Sequence, residues 1–326
     1  MKDFKDTVEF IKTAIQAQIF ERLQSEQGTL LYSPVHYALD TGGKRLRPVL
    51  LYLTYQLLSD PDQSVLDAAA AVEILHNFTL VHDDIMDRDE LRRGKETVYK
   101  RWDENVAILA GDAMLVKCYE ALSFVSSKLL PGLMFDFSRA ILAICEGQMM
   151  DMSFETRDDV TLLEYFDMID KKTARLFALA CESGVYLAGA SSEQKNAMHQ
   201  YGMAIGRAFQ IQDDLLDVSA EESVLGKDVG SDMINGKKTF LVLHMNENMN
   251  SEQRRQMTPA LDALNSDPNS IRKVYDILRD IGTIKAAQSE IQTALVDAKQ
   301  ALYHFPLNSA RQSLEDLVKL IEHRTF

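Results

Sequence analysis

The 326-residue sequence predicts an all-α protein, and three observations carry that prediction. Apolar residues recur at intervals of three and four, the period of an amphipathic helix and not of a strand. Runs of β-branched residues bounded by turns are scarce. Turn signals instead separate long segments, at Ser59-Asp60-Pro61, Leu130-Pro131-Gly132, Gly189 to Ser192, Asn246 to Ser251 and Asn265 to Ser270.

In chain order, Gly42-Gly43-Lys44-Arg45-Leu46-Arg47-Pro48 reads as a flexible glycine pair followed by a helix start, with Lys44 and Arg47 at i, i+3 spacing. Val65 to Met86 carries the clearest helical period, and Ala68-Ala69-Ala70-Ala71 within it adds strong helix propensity. A second polar-rich helix is expected around Phe209 to Val218. Near the C-terminus, Ile284, Ala287, Ile291, Ala294, Leu295 and Ala298 mark one apolar face. No Pro/Gly/Ser-rich linker divides the chain, so the expectation is one helical domain over residues 1–326.

Hydrophobic residues make 46% of the chain and charged residues 26%, an ordinary composition for a folded globular protein. The formal net charge of -14 disfavours general binding to nucleic acid or to anionic membranes, which require basic surfaces. Asp3, Asp6 and Glu9 interrupt the start of the chain where an export signal needs a basic and then an apolar run. No run of eighteen apolar residues suggests a spanning helix. Cys118, Cys145 and Cys181 are odd in number and widely spaced, which argues against a disulfide framework or zinc site, and a cytoplasmic chain is expected.

The chemistry lies in two similar acidic runs, LVHDDIMD and FQIQDDLLDV. At about 100° per residue, Asp83, Asp87 and Asp84 fall near 0°, 40° and 100° on a helix, one shared face. Asp213, Asp217 and Asp214 repeat the pattern about 130 residues further on. Carboxylates this close repel one another, and partial burial adds a much larger desolvation cost, so counter-cations are required. Oxygen-only donors select a hard ion, and so few per site suit Mg²⁺, which keeps waters and completes its shell with phosphate oxygens. A solvated acidic helix surface is the alternative for either run alone; two runs in apolar surroundings weigh against it.

Basic residues gather beside these runs. Lys44 and Arg47 follow the glycine pair, Arg92-Arg93-Gly94 follows the first acidic run, and Lys171-Lys172-Thr173, Gly226-Lys227-Asp228 and Gly236-Lys237-Lys238-Thr239 come later. Guanidinium forks and ammonium groups beside Mg²⁺-type carboxylates suit polyphosphorylated ligands. P-loop and Rossmann glycine signatures are both missing, so the phosphates are not held as in nucleotide enzymes.

The segments GGKRLRP, HNFTLVHDDIMD, RRG, EGQMMD, KKTA, FQIQDDLLDV, GKDVGSD and GKKT, in that order, resemble the trans-isoprenyl diphosphate synthases, or polyprenyl synthetase family. That family includes farnesyl and geranylgeranyl diphosphate synthases. The likeness runs from about Ser33 to Phe240; beyond it only amphipathic helices correspond. It implies an all-α bundle around a central cavity, a homodimer, and head-to-tail joining of isopentenyl diphosphate to an allylic diphosphate such as dimethylallyl, geranyl or farnesyl diphosphate. Lys44, Arg47, His76 and Arg93 would then hold isopentenyl diphosphate. Asp83, Asp84 and Asp87, with Asp213, Asp214 and Asp217 opposite, would bind three Mg²⁺, for which Mn²⁺ can substitute, and these would clamp the allylic diphosphate. Arg92, Lys172, Lys227 and Lys237 would contact the same diphosphate, and Thr173 and Gln210 would line the reacting end.

The helical wheel supports two of these roles independently, with His76 about 20° from Asp83 and Gln210 about 60° from Asp213. In the family, the positions of Thr79 and Phe78 form part of the floor that limits product length. A bulky Phe78 beside Thr79 points to C15–C20 products, with C20 favoured. A class I terpene cyclase would share the fold and Mg²⁺ but should lack a second DDxxD run, and a non-catalytic partner subunit should show erosion of one cluster or of RRG. Both clusters and RRG are intact.

Overall fold

The computed structural model describes residues 2–23, 29–40, 42–219, 230–264 and 270–322, and these are overwhelmingly helical. Among the described residues the only strand pairing is a small antiparallel hairpin, β1 (Leu91–Arg92) with β2 (Lys95–Glu96). The chain divides into two compact units. One comprises Met1–Arg139, Leu176–His199 and Leu302–Asp316; the other comprises Ala140–Arg175, Gln200–Ala301 and Leu317–Phe326.

The first unit is organised around α4 (Gln63–Met86), which packs on α1 (Lys2–Leu23), α3 (Leu46–Gln56) and α6 (Glu104–Leu122). Asp62 caps its N-terminus, its side chain accepting from the Ser64 and Val65 amides, and so satisfies donors that a helix start leaves open. The alanine run Ala68 to Ala71 is fully buried, and these small side chains permit close helix contact. By length and composition α4 matches a membrane-spanning helix, although the sequence holds no long uninterrupted apolar run; most of its surface is buried among the neighbouring helices. Gly111 on α6 lets that helix approach α4, because a Cβ there would sit 2.2 Å from His82 Nε2. The short helices α2 (Tyr32–Asp40) and α5 (Val98–Arg101) pack on the same pair.

Further along run α7 (Leu130–Phe154), α8 (Leu162–Ile169), a π-helical turn (Asp170–Ala174), α9 (Arg175–Leu187) and α10 (Ser192–Ser219). Thr161 and Glu164 form a reciprocal capping box at the start of α8. After α10 come α11 (Ser231–Ile234), α12 (Phe240–Asn248), α13 (Ser251–Asp262), α14 (Ser270–Ile281), α15 (Thr283–Ala301) and α16 (Ser309–Glu322). The predicted apolar face from Ile284 to Ala298 is the buried face of α15.

Candidate active site

The first acidic run occupies the last turn of α4, with Asp87 as the C-cap residue. Carboxylates at this end oppose the helix dipole, which adds to their mutual repulsion and favours a nearby cation. Asp83 and Asp87 are half-buried, and Asp84 is buried. The β1–β2 hairpin turns the chain back, so that Arg92 Nε donates to Asp84 Oδ1 at 2.5 Å and Arg92 Nη2 lies 3.6 Å from Asp89. Burial pushes the Asp84 carboxyl up to about 6, and the Arg92 charge offsets only part of that rise. The reversal runs through left-handed residues, Arg88 (φ 56°) and then Arg93 (φ 54°) and Gly94 (φ 75°).

A basic pocket forms in the same unit. Arg47 Nη1 lies 3.1 Å from His76 Nε2, and the Arg47 guanidinium sits 4.3 Å over the Phe177 ring. Burial, and then the charges of Arg47, Arg93, Arg92 and Arg45, hold the His76 imidazole well below its usual range, so it is neutral. Arg93 donates to the Gly42 carbonyl, and its guanidinium fills the place that a Cβ on Gly43 would take, 2.6 Å from Nη1. One helix, α4, thus presents an arginine-bound imidazole and, two turns later, an acidic cluster.

The glycine-lysine run differs from the sequence expectation. Lys44 is exposed in the segment before α3 and is not on a helix with Arg47. The cause is Arg45, which takes a left-handed conformation (φ 50°) as it turns inward to pair with Glu73, and α3 starts only at Leu46. Arg45 also donates to the Leu39 carbonyl and, at 3.1 Å, to Gln16.

The second acidic run lies in the other unit, near the end of α10. Asp213 is half-buried, while Asp214 and Asp217 are buried. Asp214 accepts from Tyr165 Oη at 2.6 Å, Gln210 Nε2 at 3.0 Å and the Phe240 amide at 3.1 Å, and burial raises its carboxyl to about 7. Asp217 Oδ2 accepts from the Asp232 amide at 3.3 Å. Gln210 in turn accepts from Thr173 Oγ1 at 3.0 Å. Lys172 Nζ lies 2.6 Å from Asp151 Oδ2, and Lys237 Nζ lies 3.8 Å from Asp232. Lys172 and Thr173 sit in the π-helical turn, a local widening that redirects side chains. Lys227 lies outside the described residues.

Sequence reasoning missed Tyr165, Asp151 and Arg45, whose partners are remote in sequence, and Asp232, which pairs with Lys237 five residues on. Of the predicted length-setting residues, Phe78 is buried and meets His82 edge-on with ring centroids 4.8 Å apart, whereas Thr79 is half-buried and donates to the His76 carbonyl at 2.8 Å. Among the described residues no three His, Cys, Asp or Glu side chains gather closely enough to hold a metal by themselves. Mg²⁺ does not need such a cage, since it takes much of its shell from water and phosphate. The oxygen-only donors of the two acidic runs fit that ion.

Residues 28–278 match the sequence model for polyprenyl synthetases. The chain belongs to the polyprenyl synthetase family. It is 46% identical over 241 residues to a geranylgeranyl diphosphate synthase of Methanosarcina mazei, covering 73% of this chain and 74% of that protein. A geranylfarnesyl diphosphate synthase of Natronomonas pharaonis is 36% identical over 332 residues, covering 96% and 95%. The crystal structure of geranylgeranyl pyrophosphate synthetase from Pyrococcus horikoshii superposes with a TM-score of 0.90 at 35% identity, covering 99% of this chain and 98% of that one. As a polyprenyl synthetase the chain is a prenyltransferase that extends trans-prenyl diphosphates, and the family uses Mg²⁺.

Proposed function

We propose that this polyprenyl synthetase joins isopentenyl diphosphate to an allylic diphosphate, head to tail, to give a C15–C20 product with C20 favoured. The observation that carries the reading is that α4 presents His76, bonded to Arg47 of α3, and two turns later an acidic cluster with Arg92 drawn onto Asp84. A cation site and an anion site side by side are what two diphosphate substrates require.

Asp83 and Asp87, with Asp213 and Asp217, are the carboxylates we assign to Mg²⁺. Asp84 accepts from Arg92, and Asp214 accepts from Tyr165, Gln210 and the Phe240 amide. When bound, three Mg²⁺ neutralise the diphosphate that leaves as the allylic carbon–oxygen bond breaks. Arg92, Lys172 and Lys237, together with Lys227, donate to that diphosphate and stabilise the charge it gains. Lys44, Arg47, His76 and Arg93 hold the second diphosphate, so that the isopentenyl double bond is presented as a carbon nucleophile. Thr173 and Gln210 face the developing cation with oxygen lone pairs, and the surrounding apolar side chains keep water from capturing it. The closing proton is taken by the released diphosphate, which explains a site without a strong side-chain base.

The exposed face of α6, with Ile108, Leu109 and Val116, supports association as a homodimer, because apolar side chains at this spacing favour burial against a second copy. The net charge of -14 and the buried α4 support a cytoplasmic enzyme that binds neither nucleic acid nor membrane.

The test is incubation with Mg²⁺, isopentenyl diphosphate and dimethylallyl, geranyl or farnesyl diphosphate in turn. Longer linear prenyl diphosphates are expected. Cyclised hydrocarbons would favour a terpene cyclase, and no turnover would favour a non-catalytic subunit. Asp83→Ala and Asp213→Ala should each lower kcat by at least about 100-fold with the fold retained.

A further inference from the structure

We propose that Tyr165 is a positioning residue for prenyl transfer, acting through Asp214 to orient Gln210 and Thr173 and to hold the carboxylate-bearing end of α10; the inference rests on the synthase reading above.

Tyr165 is fully buried near the start of α8, and its hydroxyl makes the shortest of the three hydrogen bonds to Asp214. The same oxygen of Asp214 accepts the Phe240 amide, at the first turn of α12, where the helix dipole favours an anion. The other oxygen accepts Gln210 Nε2, one turn back on α10. One buried carboxylate therefore ties together α8, α10 and α12. The lysines Lys237 and Lys238 immediately precede the Thr239 cap of α12, so their placement depends on the same tie.

The consequence for chemistry is one of polarity. All three hydrogen bonds at Asp214 are accepted by its oxygens, so Gln210 turns its NH₂ to Asp214 and its carbonyl to Thr173. Thr173 then spends its single proton on Gln210, leaving its oxygen lone pairs for an electron-poor partner. Without the Tyr165 hydroxyl to hold the Asp214 side chain, the amide of Gln210 would be able to flip and the hydroxyl of Thr173 would reverse. Tyr165 fixes that side chain because a carboxyl group this deeply buried depends on its hydrogen-bond partners. Its ring contributes separately, meeting Phe166 and Phe240 edge-on at centroid distances of 5.6 Å and 6.3 Å.

Tyr165→Phe keeps the ring and removes the donor. Two readouts are compared with wild type: prenyl-transfer kinetics, and the Mg²⁺ concentration that half-saturates the thermal shift produced by inorganic pyrophosphate. We expect kcat to fall about 10- to 100-fold and half-saturating Mg²⁺ to rise about 10-fold, with the KM for isopentenyl diphosphate unchanged. Because both residues act through one contact, adding Y165F to Asp214→Asn should change neither readout further. If Y165F alone fails to fold, the comparison of D214N with the double variant, which has no ionisable group at position 214, serves in its place. Wild-type kcat and Mg²⁺ dependence in a merely less stable Y165F, or effects that multiply in the double variant, would overturn the proposal. A wild type that shows the Mg²⁺–pyrophosphate shift but never elongates overturns the synthase reading instead, and Tyr165 is then judged on the Mg²⁺ shift alone.

Discussion

Nη1 of Arg47 lies 3.1 Å from Nε2 of His76. A guanidinium can only donate, so Nε2 is the acceptor and the imidazole carries its proton on Nδ1. Burial and four neighbouring arginines hold its pKa well below the ordinary value of 6.5. The unfolded chain takes up a proton at His76 below about pH 6.5 and the folded chain does not, so stability falls as pH drops through that value and continues to fall until the lowered folded pKa is passed. His76→Gln keeps an acceptor for Arg47 without a titrating group. Between pH 7.5 and 5.5 the wild type should lose up to about 1.4 kcal/mol per pH unit more than the variant in urea unfolding. Parallel pH profiles would show that His76 titrates as an ordinary exposed histidine.

Arg47 also stacks over Phe177, 4.3 Å from the ring centroid. A lysine would keep the charge and lose both the planar fork and the stacked geometry. Arg47→Lys should therefore raise the KM for isopentenyl diphosphate by about 10-fold or more while kcat at saturation changes little. Initial rates over a range of isopentenyl diphosphate concentrations check this, and an unchanged KM would remove Arg47 from the binding pocket.

Helical spacing revealed the parts of the site that repeat along one helix, while the motifs shared with the family supplied Arg92 and Thr173, which meet Asp84 and Gln210 from other elements. Asp83, Asp84 and Asp87 end α4, and Gln210 bonds Asp214 one turn away, as residues four apart should. Lys44 does not share a helix with Arg47 because the start of α3 is decided by Arg45, which reaches Glu73, 28 residues along the chain. Tyr165 and Asp214 are 49 residues apart, and Lys172 and Asp151 are 21 apart, distances over which no periodicity signals contact. The π-helical turn under Lys172 has no residue signature either; it follows from packing.

The contact of Phe78 with His82 bears on product length. Removing the Phe78 ring opens space beside His82 at the α4–α6 packing, where Gly111 already admits close approach. Phe78→Ala should shift the distribution of prenyl diphosphates to longer chains, at a stability cost of about 3 kcal/mol. Chromatography of dephosphorylated products reads the first effect, and denaturant unfolding reads the second. A product profile identical to wild type would assign Phe78 to packing alone.

Gly147 on α7 packs directly against the π-helical turn. A Cβ at this position would lie 2.4 Å from the Lys172 amide nitrogen and 2.8 Å from its Cα. Both atoms belong to backbone, so no side-chain rotation can relieve the clash, and either α7 or the π-helical turn must move. The turn is the weaker partner, because its wider hydrogen-bond ring gives poorer packing than an α-helix. Its displacement would carry Lys172 away from Asp151 and Thr173 away from Gln210, two contacts of 2.6 Å and 3.0 Å. Gly147→Ala should thus lower kcat by about 100-fold, since a misplacement of about 1 Å at reacting groups costs that much. The KM for isopentenyl diphosphate should hold, because Arg47, His76 and Arg93 belong to the other unit. Steady-state kinetics with circular dichroism to confirm the helical fold makes the measurement. A rise in KM at wild-type kcat would mean that the π-helical turn serves substrate binding and not the transfer step.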